Sequence, residues 1–191
     1  MKREKVGGIL AAIAVVLLGL TACQGFTEVP VLSDREAKTN ATLGELRAWV
    51  AAEIEAVIEV TGVESEWVAS GAHDARWSED QEQIFERTRP FACSSRPRTV
   101  DPASVRIDLI TEPLDQDPFV LLERVRELWD DHGWEVRNRF ESAQSESSSR
   151  EIIAERGDGA MMSLAAGDAA GGKLLWLMVD SACSNDPSIA R

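Results

Sequence analysis

The side chains of this sequence that could do chemistry are two histidines and a large number of carboxylates. His73 stands beside Asp74 in a stretch rich in glycine and alanine, and His132 follows two aspartates at the end of a predicted helix. A zinc site would need further ligands at a consistent spacing. The sequence has no His-Glu-x-x-His motif, no Gly-x-Ser-x-Gly motif and no phosphate-binding glycine loop. It therefore predicts no metal site, no cofactor and no catalytic residue.

The densest group of carboxylates consists of Asp108, Glu112, Asp115 and Asp117. Paired carboxylates act as acid and base in glycoside hydrolases, and carboxylate oxygens also bind calcium. No calcium-binding loop frames this group, and Asp117 precedes Pro118 as a candidate helix N-cap. We favour a solvated loop with one N-cap, and we keep a carboxylate-dependent hydrolase of envelope material as the alternative function.

The first cysteine, Cys23, ends a segment that has the order of an export signal. Residues 1–5 contain three cations and one anion, and an apolar run follows at 6–20. This run is shorter than the roughly 20 residues that a membrane-spanning helix needs. Directly after it, Leu20-Thr21-Ala22-Cys23 resembles the lipobox of bacterial lipoproteins.

The lipobox resemblance implies that residues 1–22 are a lipoprotein signal peptide and that Cys23 becomes the lipid-modified first residue. Two or three acyl chains, palmitate among them, would anchor the protein stably. The resemblance thus predicts a lipoprotein at the extracytoplasmic face of the cell membrane. The alternative is an ordinary core cysteine behind a cleaved signal.

The other two cysteines, Cys93 and Cys183, would lie in an oxidising compartment if the chain is exported. They are predicted to form a disulfide, which would close a loop of about 90 residues. The alternative is a redox-active or metal-binding pair, but the sequence contains no Cys-x-x-Cys motif.

The chain is acidic, with a formal net charge of -13. Removal of residues 1–22 would take away three cations and one carboxylate, which leaves -15. Binding of nucleic acid rests on clustered cations, so nucleic acid is not an expected partner. Anionic lipid headgroups should repel the domain too, so attachment to the membrane would depend on the lipid at Cys23.

Two groups of residues are candidate ligand contacts. Trp67 and Trp77 fall in an irregular segment, where aromatic rings can stack on sugars or peptides. Arginines gather around Cys93 and could hold an anion, although a solvated loop is the commoner reason for such a cluster: Arg87, Arg89, Arg96 and Arg98. The other four tryptophans lie on regular stripes and are predicted to be core: Trp49, Trp129, Trp134 and Trp176.

The elements that position these residues are predicted within a single domain at 42–191, behind a flexible tether at 23–41. Thr42 and Glu45 can form a capping box that starts a helix, and Gly62 is a natural stop. A second helix is predicted from Asp117 to Gly133. In the less regular segment at 63–103, a short strand is predicted at 67–69, a short helix at 78–88 and an ordered loop at 89–98.

Alternating apolar residues predict strands at 105–110, 134–141, 151–156 and 160–166, the last two joined by a hairpin at Gly157-Asp158-Gly159. The final strand, 173–180, is apolar at consecutive positions, which predicts burial on both faces at the sheet centre. The fold class is therefore α+β, with an antiparallel or mixed sheet of about five strands, two main helices and one disulfide.

The chain has, in order, a lipobox, an acidic tether, a long helix, a Trp-to-Cys segment, a strand, a helix, antiparallel strands and a final cysteine. This order resembles small actinobacterial lipoproteins of unknown function, including the mycobacterial LppA-like group. The resemblance implies no catalytic residue. We expect a non-enzymatic binding or interaction module at the cell envelope, with an envelope protein or glycan as its ligand. The alternatives are the hydrolase and a purely structural envelope protein.

Overall fold

The computed structural model describes residues 35–64, 67–70, 72–94, 102–141, 149–169 and 172–189. The predicted signal peptide, Cys23, Arg96 and Arg98 lie outside these residues, as does the side chain of His73. Within them, three helices accompany nine strands. The helices are α1 (Leu43–Thr61), α2 (Trp77–Arg87) and α3 (Pro118–Asp131). The strands are β1 (Trp67–Ala69), β2 (Ala72–Arg76), β3 (Phe91–Ala92), β4 (Ala103–Ser104), β5 (Arg106–Thr111), β6 (Glu135–Glu141), β7 (Ser149–Glu155), β8 (Met161–Ala169) and β9 (Gly172–Asp180).

The main sheet is antiparallel and has the strand order β2-β1-β5-β9-β8-β7-β6, while β3 and β4 form a separate pair. The predicted α+β class is confirmed, and β9 is the central strand of the sheet. The sheet has seven strands instead of about five, because the short strands β1 and β2 extend one edge.

The two main helices begin and end where local signals predict. At α1, the Thr42 N–H donates to Glu45 Oε2 at 2.8 Å and the Glu45 N–H donates to Thr42 Oγ1 at 3.3 Å, which completes the capping box. Gly62 ends this helix at φ +68°, a conformation that glycine adopts without a steric penalty. At α3, the Asp117 side chain accepts from the Phe119 N–H at 3.0 Å.

The helices pack on one face of the main sheet and form a single core with it. The helices and the strands of the sheet both contribute to this core. Its largest fully buried side chains are Ile54, Trp67, Trp77, Leu109, Leu121, Leu122, Trp129, Ile152, Met162, Leu164, Leu175 and Leu177. Among the described residues, no helix is long and apolar enough to cross a membrane.

The Cys93–Cys183 disulfide is present and joins two segments that are 90 residues apart. Cys183 follows β9, and Cys93 follows β3. The bond therefore ties the central strand of the sheet to the least regular part of the chain, as predicted.

The last seven residues of the predicted tether pack against the domain, so the boundary at 42 is placed too late. We call residues 35–41 the strap. The Arg35 N–H donates to the Cys93 carbonyl at 2.8 Å, and the Lys38 N–H donates to the Cys183 carbonyl at 3.1 Å. The partners of the strap lie far away in the sequence, and the strap belongs to the same compact unit as the rest of the domain.

Candidate binding surface

The two faces of the main sheet have different surroundings. On β9, Leu175, Leu177 and Val179 are fully buried beneath the helices. Side chains alternate along a strand, so Trp176, Met178 and Asp180 point to the opposite face. We call this opposite face, on which no described helix packs, the open face.

Trp176 is the most prominent feature of the open face, because 52% of its surface is exposed. Its register neighbours are Ile110 on β5 and Ala165 on β8, both of which are partly exposed. The prediction that Trp176 belongs to the core is therefore wrong, although the central position of β9 is right. A central strand is buried on both faces only if a second layer covers the sheet, and a run of apolar residues does not reveal whether that layer exists.

The two tryptophans predicted to contact a ligand are core residues instead, since Trp67 and Trp77 are each only 1% exposed. The Trp77 indole N–H donates to Glu55 Oε1 at 2.6 Å, and its ring meets Phe85 edge-on at 5.6 Å between centroids. Neither ring has a free face for a sugar or peptide. Their irregular sequence context conceals this burial because α2 and β1 are too short to show a clear period.

Of the four arginines in the predicted anion-binding group, the structure describes Arg87 and Arg89. Arg89 is exposed on the connection between α2 and β3, and Arg87 is exposed at the end of α2. An anion site at Arg89, Arg96 and Arg98 stays a prediction.

One end of the open face is closed by the strap and the disulfide. Arg35 donates to Asp180 Oδ2 at 3.0 Å, to Ser104 Oγ at 2.9 Å and to the Gly159 carbonyl at 3.3 Å. Asp180 is 1% exposed, so this ion pair is largely removed from water. Beyond this end, the face is open around Trp176, four residues along β9.

Three arginines of the open face each pair with a carboxylate. These pairs flank the apolar centre: Arg106 with Asp108 (3.3 Å), Arg137 with Glu155 (2.5 Å) and Arg139 with Glu151 (3.1 Å). Each such pair contributes roughly 1 kcal/mol or less to stability. In each pair the positive and negative charges offset each other, and the pairs flank the exposed Trp176 and its apolar neighbours.

The carboxylates of the predicted acidic group do not converge on a common cleft. Asp108 pairs with Arg106, Glu112 pairs with Arg76 at 2.6 Å, and Asp117 caps α3. Asp115 is exposed. Among the described residues, no group of three or more histidine, cysteine or acidic side chains is placed to hold a metal ion.

Burial raises the pKa of the Asp108 carboxyl, and nearby Asp180 adds to this effect, while Arg106 offsets part of it. The folded state therefore binds this proton more tightly than the unfolded state does. The resulting stabilisation is present below the unfolded pKa of about 4 and is lost as the pH rises through the folded pKa. We expect Asp108→Asn to gain stability relative to the wild type as the pH rises from about 4 to neutrality. Urea unfolding at several pH values tests this; a difference between the two proteins that is constant across this range would contradict it.

A second cluster, which sequence patterns did not indicate, joins α1 to the β7–β8 hairpin. The Arg156 guanidinium lies 4.9 Å from the Trp49 ring centroid and 5.0 Å from that of Trp134. Burial raises the pKa of Glu53 nearby, and Arg156 and His132 offset part of that effect. The Arg156 guanidinium covers both rings, so we interpret this cluster as a cation–π contact that stabilises the packing of α1 against the hairpin.

Two cavities lie on the helical side of the molecule, between α1 and α2. One has a volume of about 490 Å³ and is lined by Glu55, Ile58, Glu59, Glu64, Trp77, Ser78 and Gln81. Glu55 is engaged there by the Trp77 and Gln81 side chains at 2.6 and 3.3 Å.

Neither the protein-family models nor the curated proteins contain a match to this chain. The resemblance to the LppA-like lipoproteins therefore stays a prediction.

Proposed function

We propose that the protein is a lipid-anchored extracytoplasmic lipoprotein that acts as a non-enzymatic binding module, with the open face as its binding surface. The observation that carries this proposal is the exposed Trp176 at the centre of that face. The lipobox resemblance at Leu20–Cys23 supports the anchor, and the disulfide suits an oxidising compartment.

A partner that covers an exposed tryptophan gains binding free energy, because the contact removes apolar surface from water. Burying apolar surface contributes about 25 cal/mol per Å², and tryptophan is among the largest apolar side chains. Tryptophan is enriched at the energetic centres of interfaces, where polar and charged groups form the rim. Trp176 with Ile110 and Ala165, surrounded by paired charges, has this arrangement.

The shape of the open face supports a large partner. Small-molecule sites are concave and bury most of the ligand. The central strands of this face form a continuous sheet surface, and two cavities lie between α1 and α2. A sheet surface that carries one exposed tryptophan flanked by paired charges suits an extended envelope component better than a small substrate.

We expect Trp176→Ala to weaken binding to an isolated cell-envelope fraction by about 30-fold or more, the effect of removing a 2 kcal/mol interface residue. The measurement is co-sedimentation of unlipidated chains that begin at Gln24, so that the lipid cannot mask the contact. Val120→Ala is the matched control, because Val120 is also 52% exposed but lies on α3. If Trp176→Ala sediments as well as the wild type, the open face is not the binding surface.

The lipid anchor is tested by Cys23→Ala in the full-length chain. We expect this variant to be released from the membrane fraction, while the wild type stays in it. Retention of Cys23→Ala in the membrane fraction would contradict the lipid assignment, and it would do so independently of Trp176.

A further inference from the structure

We infer that the partner of the open face is the surface of the lipid bilayer that anchors the chain, with Trp176 at the level of the headgroups. This inference rests on the proposed lipid anchor at Cys23. The domain would then lie on its own membrane through a sheet face, with the helices directed away from the bilayer.

The first reason is where the tether meets the domain. Arg35 is the first described residue, and its guanidinium bonds Asp180 at one end of the open face. Asp180 shares that face with Trp176 because the two are four residues apart on β9. The strand rise places them roughly 13 Å apart. The Arg35 side chain therefore lies at one end of the face that carries Trp176.

The second reason is the length of the tether. Only 11 residues, 24–34, separate Cys23 from Arg35. A chain of this length, even when fully extended, spans at most about 40 Å. The domain has a radius of gyration of about 15 Å for its size. A lipid at Cys23 would thus hold the open-face side at a high effective concentration near the bilayer.

The third reason is the distribution of exposed apolar side chains. Among the described residues, the large exposed apolar side chains are Phe91, Val120 and Trp176. Phe91 lies under the guanidinium of Arg106, at 5.4 Å, and so sits at the strap end of the open face. Tryptophan and arginine suit the membrane interface, where one part of the side chain is apolar and the other is wet.

The fourth reason is the charge on the two sides of the molecule. The three helices carry twelve carboxylates and four arginines. On the open face, by contrast, Arg106, Arg137 and Arg139 each pair with a carboxylate. Anionic headgroups repel the strongly acidic helical side more than the open face. The acidity of the chain therefore orients the domain, whereas the sequence alone predicted only repulsion.

The experiment uses the mature lipidated protein in vesicles of phosphatidylcholine and phosphatidylglycerol in equal parts, with and without brominated acyl chains that quench tryptophan on contact. We expect bromine to remove the Trp176 component of the emission from the wild type and to leave Trp176→Phe unchanged. The remaining tryptophans are buried or half-buried, which limits their quenching. The matched probe for the helical side is Val120→Trp in the Trp176→Phe background, and we expect its emission to be unaffected.

Two results would overturn this inference. One is a wild-type emission that brominated lipid does not change, and the other is quenching of the tryptophan at position 120. Flotation of the same vesicles separates the possible failures. If the protein does not float, the proposed anchor has failed. If it floats with Trp176 unquenched while Trp176→Ala still loses envelope binding, the partner is a protein or glycan and only the bilayer inference is wrong.

Discussion

Replacing Cys93 and Cys183 together with alanine is expected to lower the free energy of unfolding by roughly 4–5 kcal/mol. The disulfide closes a loop with a sequence separation of 90. Its removal restores the entropy of that loop to the unfolded chain, and the entropy of closure grows with loop length. A loss of this size is a large part of the 5–15 kcal/mol that stabilises a typical domain. Urea unfolding of the oxidised wild type and of the double variant measures it.

The control for this prediction is a reducing agent. Reduced wild type should unfold at nearly the urea concentration that unfolds the double alanine variant, and reductant should leave that variant unchanged. Both cysteines are buried, so alanine fits at their positions without exposing a polar group. A loss below about 1 kcal/mol would mean that the unfolded chain already keeps these segments together.

Arg35→Ala is expected to lower the free energy of unfolding by roughly 3 kcal/mol, because it leaves the Asp180 carboxylate buried without its cation. Asp180 is 1% exposed, and the Arg35 side chain is 19% exposed. The variant also loses the donors to Ser104 and to the Gly159 carbonyl. Urea unfolding of the oxidised protein measures the effect.

The matched control for Arg35→Ala is Arg137→Ala, which breaks the exposed pair with Glu155. This change should cost about 1 kcal/mol or less, since water replaces the lost partner. Asp180→Asn in the Arg35→Ala background should recover part of the loss, because it removes the unpaired buried charge. If Arg35→Ala destabilises no more than Arg137→Ala, the strap is not held by this ion pair.

The strap is also the clearest case of a feature that sequence patterns could not predict. Residues 35–41 have no period, no cap and no apolar stripe, so they are indistinguishable from a tether. Their partners are Cys93, Cys183 and Asp180, which become neighbours only when β9 occupies the centre of the sheet. Contacts between such distant segments leave no local signal.

The tryptophans also show that local sequence patterns and burial in the tertiary structure can disagree. Trp129 lies on the predicted stripe of α3 and is fully buried, as expected. Trp176 lies in an equally apolar run and is half-exposed, while Trp67 and Trp77 lie in an irregular segment and are buried. Hydrophobicity and period predict which side chains share a face, but burial depends on whether another element covers that face.

The sequence by itself determined the features that depend on residues within one or two turns: the capping box of α1, the Asp117 cap of α3 and the hairpin between β7 and β8. The sequence also predicted the α+β class and the disulfide, because apolar periods and the number of cysteines can be read without knowledge of the fold. Three features were decided only by the tertiary structure. All three helices cover the same face of the sheet, the strap packs at one end of the open face, and Trp176 is left exposed. The physical reason is that a face is buried or open according to long-range packing, which the local sequence does not encode.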